Sequence, residues 1–415
     1  MTTGTNWAGN LTYSATQLHE PRTIEELVDL VGSTPRLRAL GSRHSFNAIA
    51  DTDAAQVSVA GLPHVVDVDE AAQEVTVSAG LRYGELVEQL DLAGWALPNL
   101  ASLPHISVAG AIATGTHGSG DRNVSLAGAV AGLELVTADG QVRTVRRGDA
   151  DFDGMVVSLG RLGIVTSVVL DVVPTFEVRQ DVFEHLPWAE VEAHLDEITS
   201  RAYSVSMFTD WGEGGPHQVW LKSQAGTPEP TELFGATPAR AGVHPLPGVS
   251  AEFTTQQLGR SGPWWDRLPH FRLGYTPSDG EELQTEYLVP REHALDAIAA
   301  VRELAPRIQP LLLVSEIRTI ARDDLWLSPS HGTDCVALHF TWRLDVPGVT
   351  AFLPSLDDSL APFTARPHWG KVFETTPERL LAAYPRLPDF AALVARTDPD
   401  RRFANQLTDH WLAAV

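Results

Sequence analysis

The sequence predicts an α+β protein built from two domains and a short tail. Its 415 residues exceed what one ordinary hydrophobic core accommodates. Up to about residue 175, short β-rich runs alternate with helical patterns, whereas residues 177 to about 371 contain longer alternating strands. The tail is too short to form a core of its own, so it is expected to pack back on one of the two larger units. The predicted units are residues 1–176, 177–371 and 372–415.

The first unit contains a helix start signal and two strand pairs. Thr23 and Glu26 have the spacing of a capping box, which predicts a helix from 24 to about 31. Asp139-Gly140 is a strong hairpin turn between two alternating runs. The predicted strands are 36–40, 65–69, 74–79, 133–138, 141–146 and 164–172, and Pro174 ends the unit.

The second unit has a different pattern, in which long strands are interspersed with helices. A proline-rich stretch at 226–248 predicts a long irregular loop. Two short helices are expected in the tail. The predicted strands are 203–210, 218–223, 283–289, 310–320 and 335–344, and the predicted helices are 188–202 and 291–305.

Composition and charge restrict the class of partner. The chain is 43% hydrophobic and carries 30 basic against 53 acidic residues, a formal charge of −23. Such a field repels phosphate backbones and anionic lipid, so nucleic acid and membranes are not expected partners. No secretory signal or membrane-length apolar run is visible, which predicts a cytoplasmic protein. The single Cys335 allows no disulfide within the chain, and no metal site is predicted.

A small-residue segment at 101–120 and a loop at 41–47 could hold a large anion. The segment contains four glycines and several hydroxyls, so its backbone can approach a ligand and present N–H groups to a pyrophosphate. The alternative is a tightly packed helix flanked by loops. The loop follows a predicted strand and contains His44, which could equally be a structural histidine. No Rossmann, Walker A, zincin or nucleophile-elbow motif is present, which disfavours those classes.

Polar residues at alternate positions of apolar strands are the most informative feature of the second unit. Glu316 and Arg318 lie two apart, as do His339 and Thr341, and as do Gln284 and Glu286. Side chains two apart point to the same face of a strand, so each pair shares one face. The alternatives are a solvent-exposed sheet face or internal Glu–Arg pairing. A polar pocket with this mixture of donors and acceptors would suit the vicinal hydroxyls of a sugar-like ligand.

Lysine is almost absent from the chain, which has only Lys222 and Lys371. Arginine serves as well on most surfaces, so a retained lysine can mark a place that needs a compact ammonium. Lys371 ends the run Arg366-Pro367-His368-Trp369-Gly370-Lys371. An ammonium there could stabilise an alkoxide or an anionic cofactor, whereas the alternative is a proline-led turn with a packed tryptophan.

Together these segments resemble the vanillyl-alcohol-oxidase superfamily of FAD enzymes, and within its aldonolactone oxidoreductase branch the bacterial alditol (xylitol, sorbitol) oxidases. The resemblance covers essentially the whole chain. It implies a two-domain FAD-binding fold, with a substrate domain built on an antiparallel sheet covered by helices. The matching segments are 6–10, 41–47, 101–110, 113–120, 315–319, 339–342, 366–371 and 398–405.

The resemblance also implies which residues hold FAD. His44 would be bonded covalently to the flavin, and His368 would lie beside it. The other residues implied to bind the cofactor are Gly41, Ser42, Arg43, Ser45, Phe46, Ser102, Ser107, Gly110, Thr114, His117, Gly118 and Ile164.

The implied reaction oxidises a terminal primary alcohol of an acyclic polyol to the aldose. Hydride would pass to flavin N5, and dioxygen would reoxidise the flavin to give hydrogen peroxide. Arg318 and Lys371 are the implied catalytic residues, and no partner beyond the polyol and dioxygen is expected of a monomer. The residues implied to bind the polyol are Ser102, Gln284, Glu316, Arg318, His339, Thr341 and Lys371.

Two positions depart from the family pattern or leave it open. Many relatives have glycine where this chain has Arg43, so a difference in the turn before His44 is expected. Ala101 occupies a place where side-chain size bears on oxygen access, and alanine is compatible with an oxidase or a dehydrogenase. Three alternative functions remain for the chain: a sugar-lactone dehydrogenase, a nicotinamide-dependent reductase, and a flavin-free carbohydrate-binding protein. The covalent-type histidine and the HWGK segment count against the reductase.

Overall fold

The computed structural model describes residues 4–274 and 281–415, so residues 1–3 of the predicted first unit lie outside it. Up to residue 174 the chain forms short strands and helices. Their bounds are β1 Gln17–His19, α1 Ile24–Ser33, β2 Leu37–Ala39, β3 Ala55–Val57, β4 Val66–Asp69, β5 Glu74–Ser78, α2 Tyr83–Leu92, β6 Trp95–Ala96, α3 Val108–Ala113, β7 Val130–Val136, β8 Val142–Arg146, α4 Phe152–Met155, β9 Ile164–Asp171 and β10 Val173–Pro174.

Two sheets organise this part of the chain. One is a parallel sheet in the order β1-β3-β2, and the other is antiparallel in the order β4-β5-β9-β7-β8. The predicted hairpin is confirmed, since β7 and β8 pair across a turn in which Gly140 has φ +78°. A φ in this range is easily adopted by glycine, which explains the Asp-Gly signal.

The start of α1 shows the predicted cap with one difference. Thr23 accepts a hydrogen bond from the backbone N–H of Glu26, as predicted. The Glu26 carboxylate, however, accepts from the backbone N–H of Arg22 at 2.7 Å rather than from that of Thr23. The helix begins where the pattern indicates, and its second capping bond is displaced by one residue.

The middle of the chain forms one large sheet with helices packed on one side. All five predicted strands and both predicted helices are present, while β11 and α8 were not predicted. The loop at 226–248 contains only the short strand β14. The bounds are β11 Glu177–Glu184, α5 Trp188–Thr199, β12 Ser204–Thr209, β13 Gln218–Gln224, β14 Thr237–Pro238, β15 Gly262–Pro263, β16 Glu282–Pro290, α6 Ala294–Glu303, α7 Ala305–Ile308, β17 Leu312–Ile320, β18 Cys335–Arg343, α8 Val346–Leu360 and β19 Arg366–Pro367.

Within the described residues, the large sheet is antiparallel in the order β14-β11-β13-β12-β17-β18-β16-β19, with β15 pairing to β11. Alternate side chains of its central strands, such as Leu338, Phe340 and Trp342, pack in one apolar cluster with α5, α6 and α8. Because neighbours along a strand point to opposite faces, His339 and Thr341 lie on the other face. The register places Glu286, His339 and Glu316 side by side across β16, β18 and β17.

The tail contains three helices among its described residues, where the sequence predicted two. They are α9 Pro377–Ala383, α10 Leu387–Thr397 and α11 Gln406–Trp411. Buried side chains of the tail, including Leu380, Phe390 and Trp411, share an apolar cluster with residues of β5, β7 and β9. Across residues 4–274 and 281–415, no helix has the length and apolar character needed to cross a bilayer.

Candidate active site

A cavity of about 490 Å³ separates the polar face of the large sheet from the first part of the chain. Four of the segments in its wall are the loop 41–46, the segment 101–117, the face of β16 to β18, and residues 368–371. The structure brings nearly all predicted site residues together here. Those that line the cavity are Gly41, Ser42, Arg43, His44, Ser45, Phe46, Ser102, Ser107, Gly110, Thr114, His117, Ile164, Gln284, Glu316, Arg318, His339, Thr341, His368 and Lys371.

Gly118 is the one predicted residue that does not line this cavity. A Cβ placed on it would lie 2.3 Å from the carbonyl oxygen of Leu100 and 2.4 Å from Asn99 Oδ1. The glycine is therefore explained by close packing next to His117. It allows the chain to pass against Asn99 and Leu100, which precede the segment.

Small residues bring the first loop close to the start of α3. Ser42 Oγ accepts from the Ser107 backbone N–H at 3.0 Å, and Ser107 Oγ accepts from the Ser42 N–H at 3.3 Å. A Cβ added to Gly41 or Gly110 would come within 2.7 Å of Ser107 Oγ. Side chains at these two positions would collide with the serine or project into the cavity wall, so the observed contact requires glycine.

His44 lies in this loop with one ring nitrogen unsatisfied. The ring stacks on Trp7 with centroids 5.4 Å apart and an interplanar angle of 19°. Its Nδ1 is buried and has no hydrogen-bond partner among the described residues. Burial lowers the pKa of His44 to about 4, so the imidazole is neutral near pH 7. A neutral, buried ring with an unpaired nitrogen has the chemistry of a nucleophile or a ligand.

Arg43 adopts the left-handed conformation that glycine would adopt easily, with φ 65°. Its guanidinium lies over the Tyr13 ring, 5.5 Å from the centroid, and donates to the Thr5 carbonyl oxygen at 3.3 Å. The arginine therefore preserves the turn before His44, and its side chain is anchored to the N-terminal segment.

On the opposite wall, Glu286 is the centre of a buried ionic network. Its carboxylate accepts from Lys371 Nζ at 2.6 Å and from Arg318 Nη2 in a short bond. Arg318 also donates to Ser102 Oγ at 3.3 Å, which joins the sheet to the segment 101–117. Arg318 Nε lies 3.6 Å from Glu316 Oε2 and has no hydrogen-bond partner in the described part of the chain. This N–H is buried within the ionic network of the wall.

His339 extends the network towards Thr341. Lys371 Nζ lies 2.7 Å from His339 Nδ1, and His339 Nε2 lies 3.1 Å from Thr341 Oγ1. An ammonium can only donate, so His339 Nδ1 accepts. Nε2 therefore carries the ring proton and donates a hydrogen bond to Thr341 Oγ1. The hydroxyl hydrogen of Thr341 can then be donated to a bound oxygen.

The charges of the network keep both carboxylates ionised. Burial alone would raise the pKa of Glu286, but Lys371 and Arg318 hold it well below its usual value. The pKa of Glu316 is likewise lowered by Arg318 and His270, against the effect of burial. Burial lowers the pKa of Lys371, and Glu286 opposes that shift. Burial also lowers the pKa of His339 to about 4. The wall therefore presents fixed cations and carboxylates around neutral histidines.

Two further histidines lie between the walls. His117 Nδ1 donates to the Gly118 carbonyl oxygen at 2.9 Å, and its Nε2 lies 3.4 Å from Glu286 Oε1 without forming a hydrogen bond. His368 Nδ1 accepts from the Gly370 N–H at 3.1 Å. The two ring centroids are 6.0 Å apart. Both segments thus reach the same end of the cavity as the Glu286 network.

Sequence reasoning left three residues of the buried network out of the predicted site, and two of them, Glu286 and His270, line the cavity. Glu286 was recognised as half of an alternating pair but was not counted as a site residue, although its register with His339 makes it central. His270 hydrogen-bonds Glu316 from an irregular segment that gives no periodic signal. Lys222 contacts His270 and was marked only by the rarity of lysine.

Comparison with known proteins agrees with this geometry. A family model for an FAD-binding domain matches residues 15–146, and a model for D-arabinono-1,4-lactone oxidase matches residues 281–413. An alditol oxidase from a Streptomyces species is 50% identical over 97% of both chains. An L-gulono-1,4-lactone dehydrogenase of Mycobacterium tuberculosis is 30% identical over 97% of both.

Solved structures extend the likeness to the fold. A cholesterol oxidase from B. sterolicum superimposes with a TM-score of 0.80 over 99% of this chain and 96% of that chain, at 16% identity. Fold and cavity define an FAD-dependent oxidoreductase of the vanillyl-alcohol-oxidase type, which confirms the predicted fold class. The chain belongs to the aldonolactone oxidoreductase branch of that superfamily, together with the Streptomyces alditol oxidase.

Proposed function

We propose that this protein is an alditol oxidase that converts the terminal primary alcohol of acyclic polyols such as xylitol and sorbitol to the aldose. The observation that carries the proposal is that Arg318, Glu316 and Lys371 line the same cavity as His44. The identity of 50% with an alditol oxidase over nearly the whole chain supports the same substrate class.

The residues around His44 fit an FAD cofactor. Gly41 and Gly110 leave no room for a Cβ beside Ser107, and the small segment 101–117 continues the same wall. The unpaired, buried Nδ1 of a neutral His44 suits covalent attachment through this residue. When bound, FAD supplies the hydride acceptor and the centre that dioxygen reoxidises with release of hydrogen peroxide. Gly41 to Phe46, Ser107, Gly110, Thr114, His117, Ile164 and His368 would hold it.

The sheet face would bind and orient the polyol. Glu316 can accept hydrogen bonds from hydroxyls, while Thr341 and Arg318 can donate to their oxygens. Ser102 and Gln284 border the same space and complete the binding set. Holding the reacting carbon in one orientation converts binding into a gain in rate.

Arg318 and Lys371 are proposed as the catalytic residues. As the substrate hydroxyl loses its proton, the developing alkoxide would be stabilised by these two preorganised cations. Removing one such donor typically lowers the rate about 100- to 1,000-fold. Glu286 holds both cations in place, since it accepts hydrogen bonds from each.

We also propose that the chain is divided as residues 1–176 for FAD, 177–371 for substrate, and 372–415 packed back on the first unit. The shared apolar cluster of the tail and β5 to β9 supports this division. Arg38 adds a polar link, because it donates to the carbonyl oxygens of Leu159 and Phe403. A cytoplasmic monomer acting on a small polyol and dioxygen, without nucleic acid or membrane partners, completes the proposal.

The direct test is a substrate panel with peroxide readout on the purified protein. Xylitol and sorbitol should give peroxide. If neither polyol gives peroxide, the assignment is refuted. Covalent attachment predicts that yellow colour stays with the acid-precipitated protein. In His44→Ala the colour should move to the supernatant, and a colourless wild-type pellet would refute attachment through this residue.

A sugar-lactone dehydrogenase is the second candidate. The identity of 30% with the mycobacterial enzyme and the match to the lactone oxidase model favour it. Turnover of an aldonolactone with a dye but none with dioxygen would support this candidate over the first.

A further inference from the structure

The second lysine of the chain lies in the interior, outside the set assigned above. Lys222 is only 1% exposed and belongs to β13. Cross-strand partners place it on the same face as Trp220 and, through β12, Arg318. Burying an ammonium is costly unless every N–H is satisfied, so its surroundings should explain its presence.

Three acceptors surround the Lys222 ammonium. Its Nζ makes a short bond to the Leu268 carbonyl oxygen, lies 3.0 Å from the Pro269 carbonyl oxygen, and lies 2.9 Å from His270 Nδ1. An ammonium has three N–H donors and no lone pair, which matches this set in number. Burial lowers the pKa of Lys222 to about 7 and that of His270 to about 4. Below pH 7 the ammonium form predominates, so His270 Nδ1 accepts and the single ring proton of the neutral imidazole lies on Nε2.

That proton is directed at the substrate wall. His270 Nε2 lies 2.8 Å from Glu316 Oε1, so the ring donates to the carboxylate. The edges of Phe208 and Trp220 flank the imidazole, with ring centroids 5.6 and 5.2 Å away, and restrict its rotation. Glu316 Oε1 is thereby occupied, and Oε2 remains beside Arg318 at the cavity.

We infer that Lys222 is a positioning residue that acts through His270: it fixes the ring tautomer that donates to Glu316 and so orients this carboxylate for substrate hydroxyls. The inference rests on the proposed polyol oxidation, because it assigns Glu316 to the hydroxyl groups. Without the ammonium, His270 can place its proton on Nδ1 towards the two carbonyls, and an unprotonated Nε2 would then face the carboxylate.

The test is a double-mutant cycle of Lys222→Met and His270→Gln, followed by steady-state oxidation of xylitol. Gln at 270 can still place an N–H near Glu316 but has no atom that needs Lys222. We expect Lys222→Met alone to raise KM about tenfold with kcat within about threefold, as for loss of one charge-assisted hydrogen bond. In the His270→Gln background, Lys222→Met should change KM by less than about twofold.

Arg291→Met is the control, because it removes a half-buried cation that does not line the cavity and whose partners are Asp121 and Asp196. It should lower thermal stability and leave the KM for xylitol within about twofold. If Lys222→Met does not yield folded protein, His270→Asn replaces it, since Asn keeps an atom towards Lys222 but cannot reach Glu316. It should then show the tenfold rise in KM.

Three results would overturn the inference. The first is an unchanged KM in Lys222→Met. The second is a change in KM by Lys222→Met that is as large in the His270→Gln background as in the wild type. The third is a KM shift of equal size in Arg291→Met. Wild-type protein that binds flavin but does not oxidise xylitol or sorbitol would refute the proposed function itself. Normal wild-type turnover with any of the three results would refute only the role of Lys222.

Discussion

Glu286 shows how one residue can determine the charge of a whole cavity wall. Its carboxylate is fully buried and contacts Lys371, Arg318 and His117. Breaking a buried ion pair by removing one partner leaves an uncompensated charge, which is more damaging than the absence of the pair. In this wall, loss of Glu286 would leave two cations facing each other without their shared acceptor.

Glu286→Gln is therefore expected to lower both turnover and stability. The loss of stability should be about 3–5 kcal/mol, and the fall in kcat at least about 100-fold, since both proposed catalytic cations lose their position. Denaturant unfolding and xylitol oxidation measure the two effects. Glu282→Gln, four residues earlier on the same face of the strand, is the control and should have clearly smaller effects. Equal effects in both variants would contradict the central role of Glu286.

Lys371 should give the reaction an alkaline limit. Burial lowers its pKa, with Glu286 opposing, so the ammonium is lost at a lower pH than the ~10.4 of a free lysine. We expect kcat/KM to fall on the alkaline side with an apparent pKa below that value. Lys371→Met should retain flavin but lose turnover about 100- to 1,000-fold. Retained turnover in this variant would show that the lysine is misassigned.

At the scale of elements, the contact between the loop 41–47 and α3 depends on glycine at positions 41 and 110. Gly41→Ala would place a Cβ about 2.7 Å from Ser107 Oγ, so the loop that carries His44 must shift. We expect a marked fall in flavin content, measured as the ratio of absorbance at visible and ultraviolet wavelengths in purified protein.

Gly32→Ala is the control for this substitution. Gly32 lies inside α1 and has nothing within 4 Å of an added Cβ. Alanine favours a helix interior by up to about 1 kcal/mol over glycine, so this variant should be neutral or more stable with normal flavin content. Equal flavin loss in both variants, or none in Gly41→Ala, would contradict the proposed cradle.

The sequence predicted elements well where the signal is local. Polar residues at alternate positions of β17 and β18 predicted the polar face, and Asp139-Gly140 predicted the hairpin, because both patterns depend on residues close in the chain. The short parallel strands β1 and β3 were not predicted, since three residues are too few for a period to be seen. Helix α8 and strand β11 were not predicted, although both carry clear apolar positions.

Residues brought to the site by distant segments could not be found in this way. His270 reaches Glu316 from an irregular stretch 46 positions earlier in the chain, and Lys222 reaches His270 across 48 positions. Alternation shows which face a side chain shares but not which strands become neighbours. The central place of Glu286 likewise depends on the pairing of β16 with β18, which no local pattern specifies.

At the scale of the whole molecule, buried histidines should make the protein sensitive to acid. Burial lowers the pKa values of His244, His270 and His339 to about 4, from about 6.5 in an unfolded chain. Between these values the unfolded chain binds protons that the folded protein does not. The contribution of these histidines to the free energy of unfolding is therefore fully present above about pH 6.5. It falls as the pH drops towards 4, by up to about 1.4 kcal/mol per pH unit for each histidine.

The net charge of the chain has the opposite effect on stability when the pH is lowered. The formal charge of −23 diminishes as the pH approaches the isoelectric point near 4.9, so surface repulsion is relieved on acidification. We expect the histidines to prevail, because these surface charges are screened by salt and the buried rings are not. The urea midpoint at 0.15 M salt should be lower at pH 5 than at pH 7. His244→Gln should weaken this dependence while the exposed His64→Gln should not, and an equal or higher midpoint at pH 5 would show that charge repulsion governs stability instead.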